Sequence, residues 1–269
     1  MSGRPPGRQT TGPSALETLL RRDRLLVAGA LAVVVALAWL HLLRGAGTEM
    51  REMDDMLMPM ARGPWSAGHA ALMLVMWAAM MMAMMLPSAA PMILLYSSIA
   101  RRRGTHRGAL VMTGVFALGY VAVWSVFGIG ATTMQWSLDA AALLSPTMRT
   151  TSVALAGAVL IGAGLYQWTP LKQACLRQCR SPLDFVLTHW REGARGAFGM
   201  GLRHGCYCLG CCWLLMALLF VGGVMNLAWI IGIAAFVLVE KTAPAGHWLG
   251  RIAGGALVAW GGATLLALA

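Results

Sequence analysis

Residues 69–99 read HAALMLVMWAAMMMAMMLPSAAPMILLYSSI, an unbroken run without Asp, Glu, Lys or Arg. As one straight helix it would extend about 45 Å, against a bilayer hydrocarbon core of about 30 Å. The run is therefore read as a membrane span that is kinked or broken. Pro87 and Pro91 mark where, because each removes a helix hydrogen bond. Six further apolar runs surround it, at residues 25–43, 109–134, 151–168, 206–223, 227–239 and 249–269. The fold class is all-α, a polytopic transmembrane helix bundle of about seven spans. Six remain if the short 227–239 segment is only a tilted or re-entrant piece. Residues 25–43 follow Arg21, Arg22 and Arg24 like a signal peptide, but their near-spanning length and lack of a clean small-x-small cleavage site favour a retained anchor.

Composition agrees. Of 269 residues, 58% are hydrophobic and 12% charged, about half the charged share of an ordinary globular chain. A mean hydropathy of +0.67 leaves too little polar surface for a water-soluble particle. The net charge of +11 is accordingly read as topology and contact with anionic lipid rather than nucleic-acid binding. With the N-terminus placed inside, seventeen Lys and Arg fall on the cytoplasmic side and four on the other. That asymmetry supports an inside N-terminus and an inner-membrane, multi-pass placement. The expected organisation is a basic tail at residues 1–24, disordered to about residue 14, then a first span at 25–43. A Met-rich acidic external loop at 44–66 follows, and then a metal-binding transmembrane domain at 67–269 with a cytoplasmic Cys-containing loop at 169–205.

Thirteen of the 20 Met lie between Met50 and Met92. In the external loop Met50, Met53, Met56, Met58 and Met60 alternate with Glu49, Glu52, Asp54 and Asp55. Thioethers are soft ligands that suit Cu(I) or Ag(I), so a mobile Met-rich loop suits low-affinity capture; the alternative is an amphipathic interfacial helix. In the long span Met73, Met76, Met80 and Met84 share one helical face, with Met81 and Met85 beside it. Such a stripe is ordinary packing or a ligand track, and His69 at its mouth is one more candidate ligand.

Cys206, Cys208, Cys211 and Cys212 fall where the fifth span is expected to begin, with His204 one turn earlier. Cys175 and Cys179 share a face if their stretch is helical. In a reducing cytosol these thiols stay free. Zinc needs four converging ligands, whereas linear or trigonal thiolate binding of Cu(I) tolerates a cluster compressed onto one helix. Glu240 and Lys241, at the end of the sixth run, are read as a local ion pair at the interface or as a gate. Gly250-x-x-x-Gly254 allows close helix packing. No acidic residue falls mid-membrane, which disfavours carriers of hard divalent cations. No nucleotide-binding, phosphorylation, zinc-protease or serine-hydrolase motif occurs, so no enzymatic activity is expected.

WAAMMMAMMLPSAAPM, GLYQWTPLKQACLRQCRSPL, MGLRHGCYCLGCCWLLM and EKTAPAG together resemble an uncharacterised bacterial family described only as predicted metal-binding integral membrane proteins, a domain of unknown function. The likeness runs from about residue 65 to the C-terminus. It implies a membrane metal-binding role linked to copper. The expected function is soft-metal transport or delivery, with Cu(I) foremost and zinc or another soft metal as alternatives. The ion would move from Met53, Met56, Met76, Met80 and Met84 to the cysteines, with a copper chaperone or a membrane cuproenzyme as partner. Two other readings stand beside it: a thiol–disulfide protein using Cys208 and Cys211, and a structural or assembly subunit.

Overall fold

The computed structural model describes residues 15–45, 50–53, 56–59, 65–104 and 106–267. Ten helices are formed among them: α1 (Ala15–Leu43), α2 (Ala67–Arg103), α3 (His106–Ala140), α4 (Val153–Tyr166), α5 (Pro170–Arg180), α6 (Pro182–His189), α7 (Gly193–Ala217), α8 (Leu219–Gly222), α9 (Leu227–Thr242) and α10 (Gly246–Leu266). Between α1 and α2 lies a small antiparallel hairpin, β1 (Met50–Met53) with β2 (Met56–Pro59).

Local chemistry sets the helix starts. Ser66, Ser152, Thr169 and Asn226 each accept the backbone N–H three residues on, capping α2, α4, α5 and α9. Pro170 takes the first position of α5, where the missing N–H is not needed. Gly223, at φ 99°, makes the left-handed turn between α8 and α9.

Among the described residues five helical stretches are long and apolar enough to cross a membrane, or six if α4 and α5, bent by 64° at residues 167–169, form one crossing. The expected span at 227–239 is α9, only 16 residues long, which is why the count falls below seven. The break expected at Pro87 and Pro91 is absent: α2 continues through both as a 37-residue helix. Beside them, the Met85 carbonyl takes additional side-chain donors from Ser88 and Tyr120. The polar stretch before residue 25 is helical from Ala15 onward, so of the expected tail only residues 1–14 fall outside the described residues.

The long helices pack as α1 on α2, α2 on α3, α3 on α7 and α4 on α10, with α5 against α7 and α9 against α2. Glycine makes two of these contacts possible. A Cβ at Gly201 of α7 would collide with the Phe116 carbonyl of α3. A Cβ at Gly164 of α4 would sit 2.7 Å from the Gly254 carbonyl of α10, and one at Gly254 2.9 Å from the Gly164 carbonyl. The close packing expected from Gly250-x-x-x-Gly254 is thus formed with α4. Large aliphatic side chains such as Val75, Leu118, Val126, Ile129 and Ile252 point outward, while Met73, Met76, Met80, Met81, Met84 and Met85 are all buried. Aliphatic outside and sulfur-rich inside is an ordering that water does not produce.

Candidate metal centre

The buried face of α2 carries the methionine stripe inward. From Met73 to Met85 it covers about 18 Å along the helix axis. At its C-terminal end the Cys212 thiol of α7 donates to Met85 Sδ at 3.9 Å, joining the thioethers to the cysteines. Met76, Met80 and Met84 therefore lie on a buried face that ends beside a thiol.

The cysteines lie in the middle of α7, not at its start, because that helix begins at Gly193. Cys208, Cys211 and Cys212 are buried and Cys206 is exposed, so Cys206 stands apart from the other three. The Cys211 and Cys212 thiols both donate back to the Cys208 carbonyl, at 3.1 and 3.0 Å. Cys179 of α5 is half-buried and approaches Cys208 and Cys211, while Cys175 packs against Gly210. All six cysteines are free.

Two residues from other helices close on Cys208, and His204 of α7 itself lies nearby. Lys241 of α9 donates to its Sγ at 2.9 Å and to Ser88 Oγ of α2 at 3.2 Å. The Tyr120 hydroxyl of α3 lies 3.0 Å from the same sulfur and 3.2 Å from the Met85 carbonyl. His204 sits in an aromatic box of Phe116, Tyr120 and Phe185, with no hydrogen-bond partner on Nδ1. A buried ring nitrogen in that state is an open donor or acceptor beside the cluster.

Glu240 and Lys241 do not pair with each other, contrary to the interfacial reading. Successive helical positions face different ways, and Glu240 is fully buried against Lys172, whose ammonium contacts both of its oxygens at 2.7 and 2.9 Å. Gln167 accepts from the same ammonium, and a Cβ at Gly250 would strike Glu240. Lys172, Gln167, Tyr120 and Ser88 carry no motif. One signal was available: the chain holds 19 Arg but only two Lys, and both lysines are buried at this site.

Met53 and Met56 face one another in register at the hairpin end, so the loop holds a short hairpin rather than an interfacial helix. Their side chains lie outside the described residues, as do residues 46–49, 54–55 and 60–64. His69 packs edge-on to Trp65, whose indole N–H donates to Asp139 at 2.8 Å.

Among the described residues no three His, Cys, Asp or Glu side chains are arranged to hold a metal ion together. A closed tetrahedral zinc site is not formed by that donor set. The donors that do meet are thiols and a thioether, which suit a soft monovalent ion of low coordination number.

A family model, PpoB2, described as a copper chaperone, matches residues 74–264. The chain belongs to this copper-chaperone family. The match covers the methionine stripe after Met73, every cysteine and α10 as far as residue 264. It leaves α1 and the Met-rich hairpin outside the matched residues. No curated protein and no solved structure matched the chain.

Proposed function

We propose that this protein is an integral-membrane Cu(I) carrier. It passes the ion from the methionine face of α2 into the thiols of α7 and on to an acceptor, a soluble copper chaperone or a membrane cuproenzyme. The contact between Met85 Sδ and Cys212 Sγ carries the reading, because it makes the two soft-ligand sets continuous inside the bundle. Family membership supports copper as the cargo, and the outward aliphatic and inward sulfur faces support a lipid surround.

The chemistry follows from the donors. Cu(I) moves between thioethers by exchange, since each holds it weakly, and reaches thiolates that bind it more tightly. Each thiol gives up its proton on binding. Two thiolates around one Cu(I) carry a net charge of −1, and the Lys241 ammonium beside Cys208 offsets it in a medium where an isolated charge is costly. Cys211 and Cys212 must leave the Cys208 carbonyl to ligate, which is a side-chain rotation rather than a refolding.

The thiol–disulfide reading is less well supported. Cys208 and Cys211 are both buried, whereas exchange needs an attacking thiolate to reach the sulfur.

Anaerobic titration of the purified protein with Cu(I) against a competing chelator tests the proposal. At least one tightly held Cu(I), lost in Cys208→Ser/Cys211→Ser/Cys212→Ser, is expected. Equal copper in both proteins overturns it.

A further inference from the structure

At the outer end of the methionine stripe a second group of soft donors comes together. Gln135 Nε2 of α3 donates to Met73 Sδ of α2 at 3.3 Å and to Met148 Sδ, from the α3–α4 connection, at 3.2 Å. All three side chains are buried. The orientation of the amide is fixed by Trp77, whose indole N–H can only donate and does so to Gln135 Oε1 at 2.8 Å. The NH₂ group is therefore the end that lies between the two sulfurs, and both thioethers offer it a lone pair.

Met148 reaches this point from an unusual backbone. It adopts φ 56°, a left-handed conformation that a residue with a side chain enters infrequently, and its carbonyl accepts Val224 N–H at 3.4 Å. A residue held in that way, with its side chain turned into the bundle, invites a functional reading. Simple apolar filling is a weaker account. Leucine would occupy a similar volume and leave the buried Gln135 N–H₂ without an acceptor.

We propose that Met73 and Met148 form a two-thioether capture site for a soft monovalent cation, with the Gln135 amide holding both sulfurs together until the ion replaces its NH₂ between them. The site stands one turn before Met76, so it would load the stripe. It rests on the copper-carrier reading above but involves no cysteine, and Met148 lies outside the patterns legible in the sequence. The two donors are neutral, so the bound ion keeps its positive charge, and binding is weaker than at the thiols. That order of affinities lets an ion captured here move inward.

Ag(I), a redox-inert stand-in for Cu(I), provides the test. The full chain is prepared with all six cysteines changed to Ser and its methionine methyls labelled with ¹³C, in detergent or nanodiscs, and titrated with Ag(I). Two buried methyl signals are expected to move together at the first equivalent. Ag(I) affinity should fall at least about tenfold in Met73→Leu and in Met148→Leu. Unchanged affinity in Met148→Leu overturns the proposal. If Met148→Leu does not fold, the methyl spectrum of the thiol-free chain decides alone, since paired shifts support the site and their absence overturns it. Silver bound by the cysteine-containing protein but not by the thiol-free chain overturns this site and leaves the carrier reading intact. No silver bound by either overturns both.

Discussion

Two lysines carry most of the electrostatics of the buried site, and they make different predictions. Lys172 and Glu240 form a fully buried ion pair. Removing one partner leaves an unpaired buried charge, a loss of about 3–5 kcal/mol. Lys172→Met is thus expected to lower the thermal midpoint of the detergent-solubilised protein sharply. Lys172→Met/Glu240→Leu should recover much of the loss, because apolar replacements of similar volume leave no uncompensated charge. Lys241 touches Cys208 rather than a carboxylate. Lys241→Met is expected to weaken Cu(I) binding about tenfold, or about 1.4 kcal/mol, in a chelator competition. The cysteines were legible as a cluster from their spacing alone. Their partners were not, since Tyr120 and Lys241 arrive from α3 and α9 and no periodicity along α7 announces them. Glu240 illustrates the same gap: next to Lys241 in sequence it reads as a local pair, yet adjacent helical positions face apart and each finds a distant partner.

At the scale of elements, glycine and methionine do separate jobs. Glycine sets the distances at which helices meet. Gly201→Ala would drive a methyl into the Phe116 carbonyl, and Gly254→Ala would press on the Gly164 carbonyl. Each should destabilise the bundle by about 1–3 kcal/mol, read as a lower unfolding midpoint. Methionine fills the interior of α2, where leucine has nearly the same volume. Met76→Leu/Met80→Leu/Met84→Leu is therefore expected to fold with each change costing less than about 1.5 kcal/mol, and yet to lose copper transfer in reconstituted vesicles. An unaltered transfer rate would reduce the stripe to packing. The sequence pattern located these helices well, because apolar runs of spanning length leave few alternatives. It misplaced the start of α7, since Gly193 to Gly205 is polar and glycine-rich and reads as loop, although Gly201 and Gly205 there let α3 approach. A break at Pro87 and Pro91 is not formed, since the helix continues through both.

Over the whole molecule, one arrangement accounts for the composition. Aliphatic side chains cover the outside of the bundle, and the methionine stripe of α2, Cys208, Cys211, Cys212 and two ammonium groups are gathered within it. Membership of the copper-chaperone family spans this interior but not the methionine-rich hairpin before α2. The hairpin is thus expected to tune capture rather than to hold the ion, and its deletion should slow copper loading while leaving the final stoichiometry unchanged, as followed by the time course of Cu(I) uptake. The central claim is that Cu(I) rests among sulfur donors inside the bundle, where the stripe meets Cys212. X-ray absorption at the copper edge of the anaerobically loaded protein tests it most directly. The account predicts a first shell of two or three sulfurs without nitrogen or oxygen, one of them lost in Met85→Leu or Cys212→Ser. A shell dominated by nitrogen and oxygen, or one unchanged by both substitutions, would contradict it.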